Sequence, residues 1–238
     1  HFVPGMLNAF ISYLFDDKHI STSLKSLKRV ITSGEALSLE TVRSWYDKVD
    51  IPIHNLYGPT EASVDVTYYA TSKEDTSIPI GRPIWNTQLY ITGKEDQLSP
   101  IGVAGEICIG GDGLARGYLN KPGLTAEKFV DNPFKEGEKL YKTGDLGRWL
   151  PDGNIEYLGR KDDQVKIRGY RIELGEIESA LQAHPEIGSA VVLAKSDKDG
   201  EKVLVAYLVS KETLNISDLR SYLSKSLPAY MLPSHFMQ

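Results

Sequence analysis

A hydroxyl and a carboxylate, Thr60 and Glu61, directly follow a Gly58-Pro59 turn at the end of an apolar, β-prone run, Ile51-Pro52-Ile53-His54-Asn55-Leu56-Tyr57. Gly58 is read as permitting a backbone sign that other residues resist, and Pro59 fixes φ. A rigid turn of this kind holds Thr60 and Glu61 at the open end of a strand, where α/β sheets bind ligands. There the hydroxyl can donate to a phosphate oxygen while the carboxylate holds Mg²⁺, a hard cation that takes oxygen ligands. An ordinary strand-to-loop turn with solvated polar residues accounts for the same stretch equally well.

Four further clusters carry possible chemistry. Ser33-Gly34-Glu35-Ala36 is a strand-to-helix turn whose backbone can lie against a flat ligand, or simply lead into a helix. Gly110-Gly111-Asp112-Gly113-Leu114-Ala115-Arg116-Gly117 lacks the Lys-Ser/Thr ending of a phosphate loop and is read as tight turns between strands. In Tyr141-Lys142-Thr143-Gly144-Asp145-Leu146 an acid stands at a glycine turn. It can accept two hydrogen bonds from a ribose diol, or close an Asx-type turn. The mixed charges from Gly159 through Arg160, Asp162, Lys166 and Arg168 to Arg171 are either a solvated surface or a hinge.

The elements that position these residues change texture along the chain. Leu7, Phe10, Ile11 and Leu14 recur at helical spacing behind Pro4, residues 27–32 read as a buried strand, and Ser38 is a good N-cap for the next helix. This βαβ rhythm implies a mostly parallel sheet over about residues 1–63. From 64 to 160, short strands at 88–92, 105–110 and 155–158 alternate with Gly/Pro/Asp turns, as in a small antiparallel sheet or barrel. Residues 161–238 read as a small α+β module: helices at 174–183 and 217–226, strands at 190–194 and 203–209, and a hairpin turn at Asp197-Lys198-Asp199-Gly200. The whole is therefore expected to be α/β with a second, smaller subdomain.

Composition narrows the class. The chain's 238 residues can bury a sizeable core, and 41% hydrophobic with 25% charged residues describes a globular protein. A net charge of −5 speaks against a nucleic-acid scaffold, and the single cysteine, Cys108, excludes an internal disulfide framework. No apolar run approaches the ~20 residues a bilayer span needs, and no signal peptide is seen, so a cytoplasmic setting is expected.

The order of these strings resembles the adenylation domains of nonribosomal peptide synthetases, within the adenylate-forming family. The matches are N-L-Y-G-P-T-E at 55–61, G-E-I-C-I-G-G-D-G-L-A-R-G-Y-L at 105–119, Y-K-T-G-D-L at 141–146, G-R-K-D-D-Q-V-K-I-R-G-Y-R-I-E-L-G-E-I-E at 159–178 and L-P-A-Y-M-L-P at 227–233. The resemblance implies ATP and Mg²⁺ as cofactors and an aminoacyl-AMP product, which passes to phosphopantetheine on a peptidyl carrier domain beside condensation domains. It implies that Tyr57 stacks on adenine with Asn55 and Gly34 at its edge. It also implies that Thr60 contacts phosphate, Glu61 holds Mg²⁺, Asp145 takes the ribose hydroxyls, and Arg160 and Lys166 lie nearby. Asp162 resembles the hinge about which residues 161–238 rotate.

By the same resemblance His1, Ile31, Ser33, Leu56, Val64 and Asp65 line the substrate pocket, in a combination like that of L-serine-activating domains. Asp65 and His1 can bond a small hydroxyl, while Leu56 and Val64 limit volume. The family's phosphate loop and amino-group aspartate fall upstream of His1, and its catalytic lysine beyond Gln238, so the chain is expected to be a fragment inactive alone. An acyl- or aryl-CoA ligase of the same superfamily, or a catalytically silent docking segment, are the alternatives.

Overall fold

The computed structural model describes residues 1–14, 24–162, 164–196 and 202–238; the expected turn at Asp197-Lys198-Asp199-Gly200 lies outside the described residues. Contacts divide the chain into two units, 1–161 and 162–238.

The first unit opens with α1 (Pro4–Leu14), whose Leu7, Ile11 and Leu14 are buried at helical spacing. β1 (Val30–Thr32) is shorter than the apolar run suggested. Ser38 caps α2 (Leu39–Tyr46) by accepting from the Thr41 N–H, as its residue type predicts. Within α2, Trp45 is wholly buried, and its indole N–H donates to the Ile51 carbonyl at 2.7 Å. That bond fixes the chain just before β2 (Ile53–Tyr57), which pairs in parallel with β1. A single 3₁₀ turn (Thr60–Ala62) follows, then β3 (Thr67–Ala70) and β4 (Arg82–Pro83), both antiparallel. The sheet, in order β1-β2-β3-β4, is therefore mixed rather than mostly parallel. No crossover helix separates β2 from β3, and without one only an antiparallel return is possible.

A second, all-antiparallel sheet contains β5 (Thr87–Thr92), β6 (Gly105–Gly111), β7 (Phe129–Asp131), β8 (Lys139–Trp149) and β9 (Ile155–Arg160). Its order is β5-β6-β8-β7, with β9 also on β8, and no pairing among the described residues closes it into a barrel. A short helix, α3 (Pro122–Lys128), precedes β7 with proline in its first turn; it buries no side chain, which is why apolar periodicity gave no sign of it. Residues 141–146 form no turn, since β8 runs straight through them. Gly144 instead has φ +75° inside a bulge, where the register against β6 slips between Glu106 and Cys108.

The second unit begins with a hairpin of β10 (Val165–Ile167) and β11 (Tyr170–Ile172). Arg168 and Gly169 both take positive φ there, as a tight two-residue hairpin turn demands. α4 (Leu174–Gln182) and α5 (Ile216–Leu223) pack Ile177, Leu181, Leu219 and Leu223 onto a sheet of β12 (Ile187–Ser196), β13 (Lys202–Ser210) and β14 (His235–Met237). No helix among the described residues is long and apolar enough to cross a membrane.

Candidate functional site

Because β1 and β2 are parallel, the segments leaving their C-terminal ends emerge side by side. Ser33-Gly34 leaves one, with Gly34 at φ +92°, and Gly58-Pro59-Thr60-Glu61 leaves the other. Gly58 does not take positive φ, which corrects the reading of that turn. A β-carbon there would meet the Val64 carbonyl oxygen at 2.3 Å and the Asp65 Cα at 2.7 Å. Glycine is needed because the chain folds back onto itself.

Burial alternates along the two strands. Val30, Thr32, Ile53, Asn55 and Tyr57 are buried, while Ile31, His54 and Leu56 share the other face, with Ile31 opposite His54 in register. Tyr57 and Leu56 thus serve different surfaces. Asn55 is 3% exposed, and its amide donates to the Pro79 carbonyl at 2.9 Å and lies 3.5 Å from the Thr32 hydroxyl. Those contacts make it a strut between β2 and the segment approaching β4.

Three groupings of the sequence-selected residues follow. In the first, the Tyr57 hydroxyl donates to Asp145 Oδ2 at 2.6 Å, and Arg160 Nη1 donates to Oδ1 at 2.8 Å and to the Thr143 carbonyl at 3.2 Å. The bulge at Gly144 sets up this arrangement: the Asp145 N–H donates to the Thr143 hydroxyl, and Asp145 pairs with Arg160 across β8 and β9. Burial first, and the Asp145 carboxylate second, push the Tyr57 phenol well above its ordinary range, so it stays a donor at neutral pH. An ionised carboxylate offers about four lone-pair positions, so Asp145 keeps acceptor capacity beyond these two bonds.

In the second, Glu61 is buried at 8% exposure, and Tyr118 donates its hydroxyl to Oε1 at 2.8 Å. Thr60, next to it, is exposed. No group of three or more His, Cys, Asp or Glu side chains able to hold a metal forms among the described residues. One carboxylate fits a Mg²⁺ ion that arrives on polyphosphate and keeps several waters, and does not fit an all-protein cation cage.

In the third, the Ser33 hydroxyl donates to Asp65 Oδ1 at 2.5 Å, joining the turn after β1 to the loop before β3. Val64 beside it is 59% exposed. His1 is exposed, and Phe2 bridges in parallel to Thr32, so the first residues run along β1. Lys166 lies on β10 in the second unit, and Asp162 is that unit's first residue, its carboxylate accepting from the Gln164 N–H at 3.3 Å. Sequence reasoning missed Tyr118, Ser63 and Gly113, all of which touch the loop after β2. Their partners are some fifty residues away in sequence, so no local pattern could mark them.

Comparison with known proteins follows the same boundaries. The family model "AMP-binding enzyme" matches residues 1–119, and "AMP-binding enzyme C-terminal domain" matches 176–238. Tyrocidine synthase 3 of Brevibacillus parabrevis is 55% identical over 99% of this chain and 4% of its own length. Gramicidin S synthase 2 of Aneurinibacillus migulanus is 50% identical over 99% and 5%. Among solved structures, the Vibrio cholerae adenylation domain AlmE, in complex with glycyl-adenosine-5'-phosphate, matches with TM-score 0.87 and 29% identity over 99% of this chain and 45% of that one. NpsA-ThdA, an artificially fused adenylation–PCP di-domain from Klebsiella oxytoca, matches with TM-score 0.81 and 28% identity over 99% and 44%. The chain thus spans under half of those structures and under a tenth of those two synthases.

Proposed function

The chain belongs to the AMP-binding enzyme family, adenylate-forming ligases, and from that premise we propose that it works as part of an adenylation domain in nonribosomal peptide synthesis. In the reaction proposed, a carboxylate oxygen of an amino acid attacks the ATP α-phosphorus. The bond from that phosphorus to the bridging oxygen breaks, and pyrophosphate leaves with the electron pair. A phosphopantetheine thiol on a carrier domain then displaces AMP from the aminoacyl carbonyl. Relatives that are peptide synthases, at 55% and 50% identity, favour this branch over an acyl-CoA ligase. Carrier and condensation domains as partners, and a cytoplasmic setting, belong to the same reading.

The observation that carries it is the Tyr57–Asp145–Arg160 cluster. A buried carboxylate already fixed by two donors, with lone pairs to spare, is suited to the two ribose hydroxyls, with Tyr57 and Gly34 beside the base. Thr60 then donates to phosphate, and Glu61 would hold Mg²⁺, which neutralises charge that develops on the phosphates. Lys166 comes from the second unit, and Asp162 serves as the hinge on which residues 162–238 turn between the two half-reactions.

The substrate we infer is L-serine, in a pocket of His1, Ile31, Ser33, Leu56, Val64 and Asp65. Asp65, accepting from Ser33, can also accept from a serine hydroxyl, and a site built to pair a hydroxyl rejects an analogue lacking it by up to ~10⁴-fold. The test is amino-acid-dependent ATP–pyrophosphate exchange on the complete adenylation domain containing this chain. Serine should give the highest exchange; serine no better than other amino acids ends the assignment.

A further inference from the structure

The loop that carries Val64 and Asp65 is bent in a way that L-residues resist. Ser63 has φ +60° and Val64 φ +81°, and the Asp65 N–H donates to the Ser63 carbonyl at 3.1 Å. A bond from residue i+2 back to i over a central residue of positive φ is a γ-turn of the rare, strained sense. A β-branched residue at its centre is a genuine outlier. Such strain persists only where the surroundings over-determine it, and it concentrates at functional sites.

The surroundings here are specific. From below, Gly58 packs against the Val64 carbonyl where no β-carbon fits, and the Val66 N–H donates to the Tyr57 carbonyl at 2.7 Å. From outside, the glycine-rich segment 111–118 fastens the loop at three points. Gly113 accepts from the Ser63 hydroxyl at 2.7 Å, the Ala115 N–H donates to the Glu61 carbonyl at 2.8 Å, and Tyr118 donates to the Glu61 carboxylate at 2.8 Å. The turn so held brings Asp65 back to Ser33 at 2.5 Å and leaves Val64 exposed beside it.

We propose that segment 111–118 is a strap that holds the Ser63-Val64 turn in its strained form and thereby sets amino-acid selectivity. Ser63 is then a positioning residue acting through Val64 and Asp65. The proposal rests on the reading that those two residues line an amino-acid pocket. It gives the glycine-rich segment a task although it binds no phosphate: its backbone supplies the carbonyl and the N–H that pin the loop.

The experiment uses the complete adenylation domain carrying Ser63→Ala, Ser63→Asn or Val64→Gly, with exchange measured for each proteinogenic amino acid and for ATP. Ser63→Ala should lower the preference for the favoured amino acid over its nearest competitor about tenfold, a pocket-wall effect, through the amino-acid KM and with the ATP KM unchanged. Ser63→Asn, which tolerates positive φ and keeps a donor, should restore it. Val64→Gly should lose selectivity while melting no lower, because glycine relieves the strain and little buried surface is lost. Selectivity unchanged in both Ser63→Ala and Val64→Gly overturns the proposal, as does an equal rise in ATP and amino-acid KM. Parent protein without amino-acid preference would instead overturn the pocket reading. The strap is then judged by hydrogen exchange at the Asp65 amide: faster exchange in Ser63→Ala supports it, and an unaltered rate removes it.

Discussion

The Tyr57 hydroxyl donates to Asp145 Oδ2 at 2.6 Å, joining residues that stand 88 positions apart in sequence. The bond ties the C-terminal end of β2 to the bulged middle of β8, so the two sheets of the first unit meet at one carboxylate. The side chains of Asp145 and Arg160 are 5% and 11% exposed, and removing either leaves a nearly buried charge. Asp145→Ala is therefore expected to lower the stability of this unit by about 3–5 kcal/mol and to weaken ATP binding. Tyr57→Phe removes only a donor to a charged acceptor and should cost about 1.5–3 kcal/mol. Equilibrium unfolding and nucleotide titration of both variants check this; unchanged ATP affinity in Asp145→Ala would remove the ribose assignment.

The same phenol makes stability depend on alkaline pH. Its folded-state pKa lies well above the ordinary 10.0 of a tyrosine, chiefly through burial. Below pH 10 the group is neutral in both states and its contribution is full. As pH rises past 10 the unfolded chain sheds the proton first, so folding is progressively opposed. The stability advantage of the parent over Tyr57→Phe should thus shrink between about pH 9 and pH 11. Tyr69, pushed up to about 12 by burial and by its bond to Asp75, shifts in the same sense but is present in both proteins and cancels. Unfolding midpoints measured across that range supply the comparison; a constant difference would contradict it.

Two glycines of the first unit should respond with opposite signs. At Gly58 a β-carbon would lie 2.3 Å from backbone oxygen, so Gly58→Ala forces the loop apart and should cost about 1–3 kcal/mol. Gly123, inside α3, has nothing within 4 Å of the added carbon. Gly123→Ala should stabilise by about 0.4–1 kcal/mol by narrowing the unfolded ensemble. Thermal unfolding of the pair separates close approach from mere flexibility.

Much of the fold was legible because local signals agreed with it. Ser38 capped its helix, Leu7, Ile11 and Leu14 turned inward, and the apolar runs at 88–92 and 105–110 became strands. What misled was glycine. At 58 its purpose is a close approach and not a backbone sign, at 144 a bulge within a strand and not a turn, and at 113 a carbonyl offered to a distant hydroxyl. One-dimensional spacing cannot distinguish these, since each depends on a neighbour supplied by another part of the chain. The residues picked for chemistry were found in contact where both partners were polar, as with Ser33 and Asp65. Tyr118 was missed because an isolated tyrosine among glycines carries no signature until Glu61 is beside it.

Tyr118 supplies the last test. Its hydroxyl donates to Glu61 Oε1, and its ring packs edge-on against Phe129 with centroids 5.6 Å apart. Tyr118→Phe keeps the ring and its packing but takes one donor from a carboxylate that is 8% exposed. Loss of a hydrogen bond to a charged group costs about 1.5–3 kcal/mol of stability. If Glu61 holds Mg²⁺, a carboxylate no longer held in one orientation must be ordered when the ion arrives, so the Mg²⁺ concentration giving half-maximal exchange should rise about three- to tenfold. The amino-acid KM should stay within about twofold, because the Ser63–Gly113 and Ala115–Glu61 backbone contacts remain. A Mg²⁺ titration of pyrophosphate exchange at saturating amino acid reads this directly. A stability loss with an unshifted Mg²⁺ midpoint would confine Tyr118 to packing and would remove the metal role from Glu61.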